Sequence, residues 1–390
     1  MMTVFWITVL SALGAWLFLL GARGGFWRAD QRLKPQHGRG SWPGVVAVIP
    51  ARNEADVIGR VVGAHMAMNY PGPYRVILVD DRSDDGTARI AGAAAAGGPH
   101  DLVLTTAPPL EEGWTGKLWA LHHGLGLTEK VMPDARYVLL TDADILYEPD
   151  MLQRMVAKAQ AEDLSLVSLM ALLDARGVWG GLLIPAFIFF FQKLYPFSWV
   201  NAPAKSTAGA AGGSMLIRAD ALKEVGGVAP IRGALIDDCA LARLVKGNPP
   251  KRGIWLGLTR SVVSLRDNRS LESIWNMVAR TAYTQLHYSP FLLAGSLLGM
   301  AVLYLAGPLA VLTWPLHGQA GLAALGGAVW LLMSVAYVPT VRFYRRPVWQ
   351  ALALPLAAGL YGAMTLASGV RHWRGGGARW KGRRYQAAGS

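Results

Sequence analysis

Residues 4–21 (VFWITVLSALGAWLFLLG) form an apolar run without a single charged side chain. Its length is close to the ~20 residues that a bilayer-spanning helix needs. A cleaved signal peptide would carry its positive charge before the run, whereas Arg23, Arg28, Arg32, Lys34 and Arg39 all follow it. The run therefore reads as a retained membrane anchor over residues 1–22. By the positive-inside rule the chain then emerges into the cytoplasm through a basic linker, residues 23–42. Composition agrees: 53% of the 390 residues are hydrophobic and only 16% charged, where a soluble protein carries about a quarter charged residues. Abundant Trp, Leu and Val, with 45 Gly and 22 Pro, exclude disorder and coiled coil. The single cysteine, Cys239, cannot form an internal disulfide, so nothing requires an oxidising compartment.

Lys+Arg 38 against Asp+Glu 25 leaves a net charge of +13, suited to nucleic acid, anionic lipid or phosphorylated substrates. Position decides among them. The basic residues cluster beside apolar segments, as expected at a cytoplasmic membrane face, and a nucleic-acid partner is not expected.

Residues 43–289 read as a cytoplasmic α/β domain. Short β-branched runs at 45–49, 76–79 and 137–140 alternate with helix-like segments, which predicts a mostly parallel sheet with its sites at the strand C-terminal ends. Beyond Pro290 come apolar segments at 291–314, 320–338 and 348–370, expected as membrane helices, then a basic tail, 371–390. Three crossings would leave that tail outside, against the charge rule. The last segment, with Gln350 and Pro355, is the candidate for a re-entrant or interfacial helix. Residues 178–200 are also apolar enough to span. Pro185, Gln192, Lys193 and Pro196, with Trp179, Tyr195 and Trp199, instead fit a helix lying in the interface, with a buried core helix as the alternative.

Acidic residues follow the predicted strands. The first strand ends in Pro50-Ala51-Arg52-Asn53-Glu54 and the next in Asp80-Asp81-Arg82-Ser83-Asp84-Asp85-Gly86-Thr87. Helix capping accounts for Ser83, Asp84 and Asp85. It leaves Asp80 and Asp81 over, adjacent carboxylates that repel unless held together by a use such as binding a ribose hydroxyl or a base N–H. The third strand ends in Thr141-Asp142-Ala143-Asp144. In extended geometry Asp142 and Asp144 point the same way and can share Mg²⁺ or Mn²⁺, with open positions for phosphate oxygens. Asp237 and Asp238 stand at the start of an amphipathic helix. They read either as an N-terminal cap or as catalytic carboxylates, and the two earlier acidic clusters favour catalysis. His122 and His123 read either as phosphate contacts or as helix-surface residues, His287 and Tyr288 as interface residues, and Cys239 has no partner in metal-ligand spacing.

The order Pro-x-x-Asn-Glu, Asp-Asp-x-Ser-x-Asp-Gly-Thr, Gly-Lys-x-x-Ala-Leu at 116–121, Asp-x-Asp and Asp-Asp resembles an inverting family 2 glycosyltransferase with the GT-A nucleotide-diphospho-sugar transferase fold. The run Glu112-Gly113-Trp114-Thr115-Gly116-Lys117 is similar to the ceramide glucosyltransferase branch. With the anchor, the membrane tail and the terminal His372-Trp373-Arg374 and Trp380-Lys381-Gly382-Arg383, the whole chain is most similar to the bacterial hopene-associated glycosyltransferases. The resemblance implies that Pro50, Glu54, Asp80 and Asp81 hold the nucleoside and that Lys117 approaches the uracil or diphosphate. It implies Asp142 and Asp144 as metal ligands, Gly212 and Gly213 lining the sugar pocket, and Asp238 as catalytic base with Asp237 beside it. Arg280 would partner the diphosphate. Where that branch often has Gln-x-x-Arg-Trp, this chain has Met277-Val278-Ala279-Arg280-Thr281, which speaks against a processive polysaccharide synthase.

The expectation is thus a multi-pass enzyme of the bacterial inner membrane. It would transfer sugar from a nucleotide sugar, a UDP-sugar by resemblance, to a lipid acceptor, with a hopanoid as the specific expectation. The alternatives are a polyprenyl-phosphate sugar synthase, in which a phosphate attacks and no base is needed, and a non-catalytic membrane protein that binds nucleotide sugar or lipid.

Overall fold

The computed structural model describes residues 2–34, 41–249, 252–375, 378–380 and 383–385. Arg39 of the linker and the side chains of the tail beyond Gly375 lie outside the described residues. The chain forms two compact units, one holding Asp30–Leu173 and Trp199–Arg266, the other Met1–Ala29, Asp174–Ser198 and Asp267–Ala378.

The first unit is built on one sheet. Its strands are β1 (Gly44–Ala51), β2 (Tyr74–Asp80), β3 (Asp101–Thr106), β4 (Ala135–Thr141), β5 (Ile145–Tyr147), β6 (Leu166–Leu172), β7 (Ser214–Arg218) and β8 (Ile254–Ser264). The runs expected at 45–49, 76–79 and 137–140 fall within β1, β2 and β4. Every residue of β1 is buried, as its unbroken apolar sequence requires of a strand covered on both faces. One covering helix, Gly116–Val131, sits directly on β1 and β2. A Cβ at Gly124 would come within 2.4 Å of Val48 and 2.9 Å of Val79, so glycine permits that approach.

The strand order is β3-β2-β1-β4-β7-β6-β8-β5. β3, β2, β1 and β4 are parallel, as expected. The remainder is mixed, because β7 runs antiparallel to both β4 and β6, and β5 antiparallel to β8. The cause lies in where β7 begins. The glycine stretch before it reaches the sheet at the C-terminal end of β4, where Ser214 pairs with Thr141, so β7 can only run back.

The second unit is helical. Among the described residues five helices are long and apolar enough to cross a membrane: Met2–Ala22, Gly177–Leu194, Pro290–Leu312, Ala320–Phe343 and Val348–Trp373. Small residues bring them close, as is usual where apolar helices meet without a hydrophobic driving force. A Cβ on Gly326 would lie 2.6 Å from the Gly307 carbonyl. Several polar groups find partners within the unit: Trp16 donates to the Leu303 carbonyl at 2.8 Å and Tyr361 to that of Leu183 at 2.9 Å. Buried Gln350 donates to the carbonyl of Gly181.

The helix Gly177–Leu194 belongs to this unit, with Phe189 on Tyr337 and Phe190 on Tyr361. Within the span 43–289, residues 174–198 and 267–289 group with the helical unit. The same helix connects β6 to β7, which are paired with Leu166 opposite Ile217. A single crossing by this helix would separate two hydrogen-bonded strands.

Candidate active site

The parallel strands β1, β2 and β4 end on one edge of the sheet, and the acidic residues leave from there. Beyond β1, Asn53 has a positive φ of 50°, and beyond β2, Arg82 has 57°. These sharp turns bring the two loops together. The Asn53 amide donates to the Ser83 hydroxyl at 2.9 Å, and the Asp84 amide donates to the Asn53 side chain at 3.1 Å. Asp85 accepts from the Ala55 amide at 2.9 Å, so it caps the helix Ala55–Met66 contributed by the other loop.

Asp80 and Asp81 are both buried beneath this knot. The Asp80 Oδ2 atom accepts from the Ser83 amide at 3.1 Å, while its Oδ1 is buried without a hydrogen-bond partner. Such an atom costs free energy, and a donor from a ligand would satisfy it. Asp81 has the Arg52 guanidinium 3.9 Å from its Oδ2.

Asp142 and Asp144 do not lie on an extended strand. β4 stops at Thr141, and residues 143 and 144 form a turn before β5. The two carboxylates have separate partners. Half-buried Asp142 takes the Lys117 ammonium at 2.9 Å. Buried Asp144 accepts from the Ser264 hydroxyl at 2.7 Å and from Arg266 Nε at 3.1 Å, and Arg266 Nη2 lies 3.5 Å from Glu54. Sequence reading missed Arg266. The available signal was the long β-branched run of β8 ending in Ser264-Leu265-Arg266, beside the strand that follows Asp144.

Asp237 and Asp238 open the helix Asp237–Gly247, whose N-terminus has no side-chain cap. Asp237 lies 3.0 Å from Lys117 Nζ. Asp238 accepts from the Gly212 amide at 2.9 Å and from the Cys239 amide at 2.7 Å. A Cβ on Gly212 would lie 3.3 Å from both Asp238 and Lys117, so a side chain there would press on both. Gly213 is tied to β4, its carbonyl accepting from Thr141 at 2.9 Å. Pro50, Lys117, Asp142, Gly212, Asp237 and Asp238 thus line one cleft.

Burial pushes the Asp238 carboxyl up and Asp237 adds to the effect; Lys117 opposes both, and the result is about 6. For Lys117, burial works against the charge, but Asp142 and Asp237 outweigh it and hold the ammonium above its usual range.

Arg280 follows the helix Leu271–Ala279 in the helical unit, while the sheet unit itself brings Arg52 to Asp81 and Arg266 to Asp144 and Glu54. His122 stacks on Trp119, and His372 stacks on Tyr288 in the helical unit. Cys239 is buried with its sulfur 3.7 Å from the Ala210 carbonyl. No group of three His, Cys, Asp or Glu arranged to hold a metal occurs among the described residues.

A family model described as Glycosyltransferase like family 2 matches residues 43–249. No curated protein matches the chain. Among solved structures, a mannosyltransferase from Pyrobaculum calidifontis in complex with GDP-Man and Mn²⁺ is similar at 19% identity and a TM-score of 0.57, over 95% of this chain and 99% of that one. Glucosyl-3-phosphoglycerate synthase from Mycobacterium tuberculosis in complex with Mn²⁺ and UDP-glucose is 16% identical, with a TM-score of 0.43 over 65% of this chain and 86% of that one. The first likeness agrees with the GT-A type of mixed α/β sheet described above. The family match covers more than half of the residues, and the chain belongs to glycosyltransferase family 2.

Proposed function

We propose that this protein is a membrane-bound inverting glycosyltransferase that moves a sugar from a nucleotide sugar, specifically a UDP-sugar, to the hydroxyl of a lipid acceptor. The observation that carries this reading is Asp238, held by the Gly212 and Cys239 amides and pushed up to about 6 beside Asp237. A carboxylate so placed takes a proton near neutral pH, which a hydroxyl nucleophile needs and a phosphate nucleophile does not. This favours transfer to a hydroxyl over polyprenyl-phosphate sugar synthesis, and catalysis over mere binding.

The donor end fits the acidic edge. Asp80, with its unpartnered buried Oδ1, and Asp81 and Glu54 would hold the nucleoside, Lys117 and Arg266 would meet the diphosphate, and Gly212 and Gly213 would border the sugar. Asp142 offers hard oxygen donors for Mg²⁺ or Mn²⁺, which are commonly held by one or two carboxylates plus substrate phosphates. Asp142 would be the main ligand and Asp144 the second, once its bond to Arg266 rearranges. When bound, the cation neutralises charge on the leaving diphosphate. Arg280 is assigned the same partner on resemblance alone.

The apolar helices and their basic ends support a bacterial inner-membrane protein with the sheet unit cytoplasmic and Gly177–Leu194 at the interface. Resemblance to the hopene-associated glycosyltransferases points to a hopanoid or related polycyclic acceptor.

The test incubates the full chain in detergent with a panel of nucleotide sugars, Mg²⁺ or Mn²⁺ and a total lipid extract. The expected outcome is release of nucleoside diphosphate together with a new glycolipid by mass spectrometry. Products found only on polyprenyl phosphate, or full activity in excess EDTA, would contradict the acceptor or the metal assignment respectively.

A further inference from the structure

Two carboxylates, Asp142 and Asp237, converge on the ammonium of Lys117, and Asp238 adds to the negative field around it. Nζ stands 2.9 Å from Asp142 and 3.0 Å from Asp237, joining the end of a strand to the start of a helix. We propose that Lys117 is a built-in counter-ion that keeps a divalent cation off Asp142 until a nucleoside diphosphate arrives and draws the ammonium away. The inference rests on the reading above that the cleft takes a diphosphate.

Two physical facts support it. An ammonium and a divalent cation cannot share the oxygens of one carboxylate pair, because their repulsion at this separation is large even when screened. Lysine is also the residue suited to such an exchange, a compact charge with three donors on a flexible four-carbon stem. Lys117 is the second residue of the helix Gly116–Val131, whose first turn is capped by Thr115. A helix start presents its positive dipole to an anion, so a diphosphate arriving there meets dipole and ammonium together. Arg266 does for Asp144 and Glu54 what Lys117 does for Asp142 and Asp237, at 3.1 and 3.5 Å, so both carboxylates of the Asp-x-Asp are already held by a cation. Metal alone should therefore bind weakly, and metal and nucleotide should strengthen each other's binding by the same factor.

The experiment titrates the full chain in detergent with Mn²⁺, following the free ion by electron paramagnetic resonance, without nucleotide and with UDP or GDP. Lys117→Met removes the charge and keeps most of the stem. It is expected to bind Mn²⁺ without nucleotide at least about tenfold more tightly than the wild type. In the wild type, the preferred nucleotide should restore tight binding. Equal or weaker Mn²⁺ binding by Lys117→Met than by the wild type overturns the proposal. If that variant does not fold by circular dichroism, Lys117→Gln takes its place and the wild-type arm still decides: Mn²⁺ affinity unaffected by either nucleotide overturns it, as does Mn²⁺ binding in none of the samples. An intact Mn²⁺ pattern with no sugar transfer in the product assay would count against the transfer reading and leave the counter-ion role standing.

Discussion

Asp238 is placed between opposing demands. The Gly212 and Cys239 amides favour its charged form, while burial and Asp237 disfavour it, and the second pair prevails, pushing the carboxyl to about 6. Below that pH it carries its proton and cannot accept another; above it, it is a base. Transfer to a hydroxyl acceptor should rise with pH through about 6 and then level. Asp238→Asn should lose about 10²-fold or more in transfer, the usual worth of a positioned base, while donor affinity stays close to wild type. Near-normal transfer, or an unchanged pH profile, would remove Asp238 from the chemistry. A purely structural role predicts instead that Asp238→Asn melts earlier and loses donor affinity together with transfer, because the Asn NH2 would face one of the two amides that Asp238 now accepts from.

At the scale of elements, the site depends on how closely the helix Gly116–Val131 lies on the sheet, since that helix carries Lys117. Gly124 makes the contact possible. Gly124→Ala would drive a methyl group against Val48 and Val79. Overpacking of this kind costs about 1–3 kcal/mol, so the variant should melt earlier. Because the helix must lift, its donor KM should rise more than its kcat falls. A variant with unchanged melting and unchanged KM would show that helix and sheet adjust without moving the cleft.

For the whole molecule, the proposed membrane association together with the pairing of β6 with β7 predicts that the chain on either side of Gly177–Leu194 lies on one side of the membrane. Ala161 and Ser206 lie on either side of this helix in the chain and are exposed. Cysteines at Ala161 and Ser206 in a Cys239→Ser background should both resist an impermeant thiol reagent in intact cells and react after lysis. Labelling of one alone in intact cells would mean that the helix crosses and that the sheet is paired differently.

What the sequence by itself determined was what depends on near neighbours. Unbroken apolar runs gave β1, β2 and β4, because a strand covered on both faces needs no polar alternation. Carboxylates just beyond those runs marked the edge, since parallel strands place their C-terminal ends together. Only the tertiary structure decided the partners. That Asp142 and Asp144 answer to different cations depends on a turn at 143–144 and on β8, far along the chain. The convergence of Asp142 and Asp237 on Lys117 depends on β7 running back from the end of β4, a direction that no local pattern in residues 214–218 encodes. The apolar run after Gly177 was legible as a helix; its membership of the helical unit was not, because hydropathy records how apolar a segment is and not which surface covers it.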